Sequence, residues 1–330
     1  MKATGLGSWP GGDPALASAQ TAEAFPDCPF LPELPGRGAP AQMIGRALGL
    51  IDGLGFELTA SGWATAAHRG RDQRRAAALA LDDLDSAAER LEGWSGPYHV
   101  SLAGPWTLAA AVSRGGGEAV LADPGACRDL GQAWTEAAAA WHGRAARALP
   151  AAAVGLQVDE PLLPLVMAGG VRRASGLGRH VGADPARVAQ LYGELPGALT
   201  AAGAWEVALH CCAPGLDVGL MGDIGFTALS FDAALLDHAA RDGLAAWQER
   251  GGALWLGVLP TNRPAADLPS FDALLASTLR LLGDLGADPA AARTVLTPAC
   301  GLAGFTVEAA LAAARLLSRL AAAVEEEAAG

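Results

Sequence analysis

A histidine and two cysteines stand together at the end of one apolar run, and their chemistry suits metal binding. The run Val207–Leu209 is rich in strand-forming residues and is followed directly by His210, Cys211 and Cys212. In an extended chain, residues two apart point to the same side, so His210 and Cys212 form the candidate pair and Cys211 points away. Imidazole nitrogen and thiolate sulfur are ligands that suit zinc. The sequence therefore predicts part of a zinc site where a buried strand ends.

Two protein ligands do not complete a zinc site, so the others must come from distant parts of the chain. Cys300, which follows the last apolar run, and Asp232, which follows the sixth, are the best candidates. No two cysteines are separated by two residues, which excludes a zinc knuckle built from four cysteines. The alternative interpretation is that His210 is a buried histidine with satisfied hydrogen bonds and that Cys212 is a small apolar filler.

Two adjacent acidic residues close another apolar run. Asp159 and Glu160 follow Val154–Val158 directly. Carboxylates are costly to bury unless a positive group, a metal or backbone amides compensate them. We therefore predict that Asp159 and Glu160 are catalytic candidates that hold an ammonium group of the substrate. The alternative is that one of the two only caps the next helix.

Ser8 and three tryptophans also follow apolar runs. Trp9, Trp63 and Trp106 come after the first, second and third runs. We expect them in the substrate site, either as aromatic walls or as packing at the rim of the fold. Ser8 alone could be an ordinary turn serine.

The elements that must position these residues alternate along the chain. Eight apolar runs cover about residues 2–7, 54–60, 97–102, 153–158, 205–210, 226–231, 253–258 and 293–297. Helical patterns occupy 71–92, 125–148, 186–203, 234–250, 270–286 and 306–328. This alternation predicts a parallel sheet, and eight units fit an α/β fold of the (β/α)8 TIM barrel type, with its active site at the C-terminal ends of the strands. The alternative is an open doubly wound sheet, although no G-x-G-x-x-G follows the first run.

We expect residues 1–330 to form a single barrel domain with a long ordered loop at about 10–42. That stretch is rich in proline, but Phe25, Phe30 and Leu31 give it apolar surface to bury. Long ordered loops often serve as lids or binding segments.

Composition limits the possible partners and compartment. The formal net charge of −12 argues against a broad surface for nucleic acid or for an anionic membrane. Five irregularly spaced cysteines suggest reduced thiols rather than a disulfide framework. The first ten residues lack the pattern of a signal peptide, and no apolar run is long enough for a membrane span. The expected location is the cytoplasm.

Taken together, the motifs resemble the catalytic C-terminal barrel of cobalamin-independent methionine synthase, in the superfamily that includes uroporphyrinogen decarboxylase. The matching segments keep their order along nearly the whole chain: Gly7–Pro10, Ser61–Trp63, Leu102–Leu108, Gln157–Pro161, His210–Cys212, Ser230–Asp232 and Thr297–Leu302. Each segment alone is weak, but their joint occurrence is specific.

The resemblance implies zinc-dependent methyl transfer to the thiol of homocysteine, which would give methionine. It implies that the zinc ligands are His210, Cys212, Asp232 and Cys300. The family usually has glutamate where this chain has Asp232. The resemblance also implies that Ser8 and Asp159 contact the amino acid, with Glu160 nearby.

Three departures from the family bear on the methyl donor. The full-length enzyme has two fused barrels, whereas this chain has one. The histidine expected near the seventh strand is missing from Leu259–Arg263, and the glutamate expected ahead of Met43 is not matched cleanly, with Glu33 a few residues earlier. We therefore expect methylcobalamin or a corrinoid protein as donor rather than methyltetrahydrofolate. The alternatives are zinc-dependent alkyl transfer to another small thiol and a non-catalytic relative that binds a ligand.

Overall fold

The computed structural model describes residues 1–264, 267–287 and 293–329. The strands are β1 Lys2–Ala3, β2 Gly55–Thr59, β3 Gly62–Ala66, β4 Pro97–Ala103, β5 Ala153–Asp159, β6 Val207–Cys211, β7 Ala228–Asp232, β8 Ala253–Leu259 and β9 Thr294–Pro298. The helices are α1 Pro14–Ala24, α2 Met43–Leu50, α3 Arg71–Arg90, α4 Pro105–Ala111, α5 Pro124–Ala148, α6 Leu163–Met167, α7 Pro185–Tyr192, α8 Leu195–Ala201, α9 Val218–Ile224, α10 His238–Glu249, α11 Phe271–Asp284 and α12 Val307–Ala329.

Seven strands form one parallel sheet in the order β1-β9-β8-β7-β6-β5-β4. The central strands are buried along most of their length, as in β6, because helices cover the outer face and side chains fill the inner face. The sheet curls into an α/β barrel of the TIM type, which confirms the predicted fold class. Seven of the eight predicted runs are strands of this sheet, and their C-terminal ends meet at one rim.

The second predicted run, residues 54–60, is not a barrel strand, so that prediction is wrong. β2 pairs antiparallel with β3 in a separate two-stranded sheet, and Gly62 takes the positive φ of 117° after the turn. Three of the five residues of β2 are exposed, whereas a parallel barrel strand is buried on both faces. The polar residues Glu57 and Thr59 fit this outer hairpin better than the barrel wall.

An irregular segment at residues 30–33 occupies the position between β4 and β1. Leu31 N donates to His99 O on β4 at 3.0 Å, and Glu33 N donates to Gly7 O, just beyond β1, at 2.9 Å. The segment thus hydrogen-bonds to both edges of the seven-stranded sheet. The eighth position of the barrel is filled by this segment and not by the second apolar run.

The predicted loop at about 10–42 contains helix α1 as well as this closing segment. α1 begins at Pro14 after the N-cap Asp13, whose carboxylate accepts from Leu16 N, a common way to satisfy the first free amides of a helix. Phe25 and Phe30 are almost completely buried, so the segment packs into the core of the barrel.

The predicted helices match α3, α5, α10, α11 and α12 to within a few residues, while 186–203 divides into α7 and α8. The break falls at Gly193, whose φ is +56°. Among the helices that the structure describes, none is both long and apolar enough to cross a bilayer.

Candidate functional site

Three potential metal ligands from two distant parts of the chain converge at the C-terminal rim of the barrel. His210 is the fourth residue of β6, Cys212 follows that strand, and Cys300 follows β9. One ligand atom from each lies within 4.8 Å of the other two, and the sulfur atoms of Cys212 and Cys300 are 3.5 Å apart. Because β7 and β8 lie between β6 and β9 in the sheet, the three side chains meet only through the curvature of the barrel.

Neighbouring strand β7 fixes the imidazole of His210. Parallel pairing places His210 beside Ser230, and Nδ1 of the ring lies 2.9 Å from Ser230 Oγ. The other ring nitrogen, Nε2, is buried and has no hydrogen-bond partner among the described residues. An orphaned buried nitrogen is costly, so Nε2 is available for a ligand.

The two thiols of the cluster have opposite acidities. The hydrogen bond with Cys212, together with the nearby His210, lowers the pKa of Cys300. The same hydrogen bond raises the pKa of Cys212. A metal cation bound between the two sulfurs would favour the thiolate form of both cysteines.

Cys211 lies outside the cluster although it sits between two of its members. It is buried in the hydrophobic core, and its thiol points to Ala213 O at 3.6 Å. The alternation of side chains along β6 therefore separates Cys211 from His210 and Cys212.

Asp159 ends β5, directly beside the cluster. Its Cα is the register partner of His210 on β6, and its side chain accepts from Gln157 Nε2 at 2.7 Å. Burial is the main cause that raises the pKa of Asp159 to about 8, with nearby Glu33 adding to the effect and His210 opposing it. A cation next to this carboxyl would favour its ionised form.

Glu160 points away from the cluster and holds the start of helix α4. Its carboxylate accepts from the backbone amides of Trp106 and Thr107, the hydroxyl of Thr107 and the hydroxyl of Tyr192 at 2.8 Å. Burial raises its pKa to about 7 against these hydrogen bonds. These contacts indicate that Glu160 caps a helix. The capped helix is α4, which precedes Glu160, and not the next helix in the chain.

Ser8 and Glu33 complete the polar surroundings of the cluster. A Cβ added to Gly301 would lie 1.8 Å from Ser8 Oγ, so the hydroxyl sits against the residue that follows Cys300. Glu33, a residue without a predicted role, is 6% exposed and accepts from Ser101 Oγ at 2.9 Å. Its parallel bridge with Ser8 brings it to the same rim.

Comparison with known proteins bears directly on this arrangement. The family described as cobalamin-independent synthase, catalytic domain, matches residues 115–323, which include the whole three-residue cluster and Asp159. The chain belongs to this family. No curated protein sequence matches the chain.

The solved structures add a fold match for this synthase domain. A B12-independent methionine synthase from Shewanella sp. W3-18-1 aligns over 84% of this chain and 76% of its own, with a TM-score of 0.51 and 13% identity. At this identity the likeness shows the shared barrel fold alone.

Asp232 is placed differently from the other expected ligands of the synthase domain. It ends β7 at the same rim, but it is not one of the three clustered residues. Its carboxylate accepts from Ala234 N at 2.9 Å and caps a short 3-10 turn. Coordination of a metal by Asp232 remains a prediction.

The three tryptophans of the synthase domain are buried. Trp9 and Trp106 are 0% exposed, with indole N–H groups that donate to Gln20 Oε1 and to Val188 O. Trp63 belongs to the outer hairpin and is 6% exposed. These contacts indicate rim packing, and contact with a ligand remains a prediction.

Proposed function

We propose that this domain transfers a methyl group to the thiol of homocysteine, giving methionine, with a zinc ion held by His210, Cys212 and Cys300. The observation that carries the proposal is the convergence of these side chains beside buried Asp159, in a member of the cobalamin-independent synthase family. The Shewanella methionine synthase was solved in complex with selenomethionine, the selenium counterpart of the product proposed for this chain.

The three residues fit a zinc ion. Two sulfurs that share one tetrahedral zinc at about 2.3 Å lie about 3.8 Å apart, which is close to the 3.5 Å between Cys212 and Cys300. Nε2 of His210 is a third donor without a partner among the described residues. A zinc ion held by these residues would bind the substrate thiol, and we propose Asp232 as an additional protein ligand.

Ser8, Glu33 and Asp159 are proposed to hold the amino-acid part of the substrate. Asp159 is 6% exposed and forms no ion pair with an arginine or lysine among the described residues. The ammonium group of homocysteine supplies a charge of the required sign, while Ser8 offers a hydroxyl near Cys300. Glu160 acts at a distance, because it holds α4 in place.

The reaction exchanges one bond to the methyl carbon for another. When bound, zinc would keep the substrate thiol deprotonated at neutral pH, which makes its sulfur a nucleophile. The thiol proton passes to solvent. A sulfur lone pair forms the new bond to carbon, the bond between carbon and the donor breaks, and its electron pair stays with the donor.

The donor that we propose is methylcobalamin or a corrinoid protein. A folate donor needs a proton on its leaving nitrogen, and the segment Leu259–Arg263 at the end of β8 lacks the histidine that the family resemblance led us to expect. A corrinoid leaving group takes the electron pair on cobalt and needs no such proton.

The test combines a metal measurement with an activity assay. Zinc-loaded protein is given homocysteine with methylcobalamin and, separately, with methyltetrahydrofolate, and methionine is measured by mass spectrometry. We expect one zinc per chain and methionine from the corrinoid donor. Cys212→Ala should lose the zinc and lower activity by more than about 100-fold, since even residues that only support metal ligands cost about 10- to 100-fold.

Cys211→Ala is the matched control for Cys212→Ala. It removes the neighbouring thiol, which lies in the core and not in the cluster, so zinc content and activity should stay near those of the unchanged protein. Zinc-loaded protein that makes no methionine with either donor would overturn the proposal. Methylation of a different thiol offered in parallel would replace homocysteine as the acceptor.

A further inference from the structure

A network of buried charges lies behind Glu33, away from the metal ligands. Arg46 on α2 is 3% exposed, and its Nε lies 3.2 Å from Glu33 Oε1. Nη1 of the same guanidinium donates to Asp83 Oδ2 on α3. Arg37 Nη2 donates to that Asp83 oxygen at 2.6 Å. These four residues, which we name the Arg46 network, contain two cations and two anions.

Arg46 places a positive charge beside Glu33 whether or not a substrate is bound. Burial alone would lower the pKa of Arg46, but Glu33 and Asp83 raise it above its ordinary value. The guanidinium therefore remains a cation beside Glu33. Asp159 forms no such ion pair with an arginine or lysine in the part of the chain that the structure describes. Of the two carboxylates at the rim, Glu33 is thus the one with an arginine of the chain beside it.

The contacts of Glu33 also fix its orientation. Ser101 Oγ donates to Oε1 at 2.9 Å, and Arg46 approaches the same oxygen. Within the described part of the chain, Oε2 has no hydrogen-bond partner. The carboxyl carbon lies 3.6 Å from the place that a Cβ on Gly7 would occupy. Oε1 is therefore held by Ser101 and Arg46, while Oε2 stays available beside the turn that carries Ser8.

Stability does not explain this arrangement. A buried ion pair contributes little net stability, because the loss of hydration offsets much of the attraction between its charges. The ion pair acts on geometry instead. The planar guanidinium of Arg46 is fixed by its contacts to Asp83 and Glu33, and it therefore orients the Glu33 carboxylate. The charge lies in the wall of the proposed substrate site and not at a distant surface.

We infer that Arg46 is a positioning residue: it holds Glu33 ready to bind the ammonium group of the amino-acid substrate. The inference rests on the proposed function, because it assumes an amino acid at this rim. Through Glu33, Arg46 would make the site prefer ligands that carry an ammonium group over ligands that lack one. Zinc binding does not depend on it.

The experiment compares two ligands that differ only in the amino group. Isothermal titration of the zinc-loaded protein measures the affinities for L-methionine and for 4-(methylthio)butanoic acid. The unchanged protein should prefer methionine. Arg46→Gln should reduce this preference by about 10- to 100-fold, the range expected for loss of a charge-assisted contact, while zinc content stays at one per chain.

Arg37→Gln is the matched control, because it removes a cation from the same Asp83 oxygen without a contact to Glu33. It should keep the preference for methionine. Equal loss of affinity for both ligands in Arg46→Gln would overturn the inference, since it would indicate general damage. An unchanged preference in Arg46→Gln would also overturn it.

A second variant tests the inference in case Arg46→Gln does not fold. Arg46→Lys keeps the charge but loses the forked contact, so it should retain part of the preference, with a reduction of about 3- to 10-fold. A full wild-type preference in Arg46→Lys, with Arg46→Gln unfolded, would contradict the positioning role. If the unchanged protein binds both ligands equally, the proposed function fails first and the inference fails with it.

Discussion

The two ring nitrogens of His210 have different neighbours, and this difference matters for metal affinity. Nδ1 lies 2.9 Å from Ser230 Oγ, whereas Nε2 has no partner among the described residues. A hydrogen bond at one nitrogen fixes the tautomer and the ring orientation that the other nitrogen presents to a metal. Ser230 therefore belongs to the proposed metal centre through its effect on His210.

We expect Ser230→Ala to weaken zinc binding by about 10- to 100-fold, because the imidazole loses the contact that orients it. The measurement is competition for zinc with a chelator of known affinity. Thr294→Val is the control, since Thr294 is a buried strand residue whose hydroxyl has no partner in the described structure. Equal zinc affinity in Ser230→Ala and the unchanged protein would show that Ser230 does not orient the ring.

Single residues were predictable from the sequence where side-chain alternation decides their direction. The two-residue period of an extended strand separates His210 and Cys212 from Cys211, and the structure has the same separation. The same rule could not reveal that Glu160 accepts hydrogen bonds from α4, the helix that follows the preceding parallel strand β4. That contact depends on how α4 packs against the end of β5, and local sequence patterns do not predict such packing.

At the scale of elements, the site depends on a close approach between the segments that follow β1 and β9. Leu302 N donates to Ser8 O at 2.9 Å, and a Cβ on Gly301 would lie 1.8 Å from Ser8 Oγ and 3.0 Å from Ser8 Cβ. Only a residue without a side chain fits between Cys300 and this serine. Gly301 thus sets the distance between Ser8 and the proposed metal ligands.

Gly301→Ala should force Ser8 out of its position and lower the affinity for methionine by about tenfold, with an overpacking cost of about 1–3 kcal/mol in the free energy of unfolding. Titration calorimetry and urea unfolding provide the two measurements. Gly304→Ala is the matched control, because nothing lies within 4 Å of a Cβ at Gly304. If both variants behave alike, the contact between Gly301 and Ser8 has no role in binding.

Elements were predictable where short apolar runs end at polar, Gly or Pro residues and alternate with helical patterns. The seven runs that form the sheet have this form, while residues 30–33 lie between Pro29 and Pro35 and include Pro32. Proline removes a backbone donor and interrupts strand patterns, so this closing segment resembled a loop. Glu33 remained without a role for the same reason, because its place at the rim follows from barrel closure.

At the scale of the whole molecule, closure of the barrel buries His99 between the sheet and the closing segment. Its ring stacks on Phe30, with centroids 5.7 Å apart, and meets Trp255 edge-on at 4.9 Å. Thr4 Oγ1 lies 3.1 Å from Nε2. Burial lowers the pKa of His99 from 6.5 to about 3, so the folded barrel holds this histidine neutral.

This lowered pKa makes the stability of the whole barrel depend on pH. Between pH 6.5 and about 3, the unfolded chain binds a proton at His99 and the folded chain does not. The stability that neutral His99 contributes is therefore fully present above pH 6.5 and decreases as the pH falls toward 3. The free energy of unfolding should decrease by up to about 1.4 kcal/mol per pH unit from this group alone.

His99→Phe should remove this contribution while it keeps an aromatic ring against Phe30 and Trp255. Urea unfolding followed by tryptophan fluorescence at pH 7, 6 and 5 measures the free energy at each pH. We expect the unchanged protein to lose about 1–2 kcal/mol more than His99→Phe between pH 7 and 5, because only it gains a proton at this position on unfolding. His68→Gln, at an exposed histidine, should behave like the unchanged protein. Parallel pH dependence in His99→Phe and the unchanged protein would mean that closure of the barrel does not hold His99 neutral.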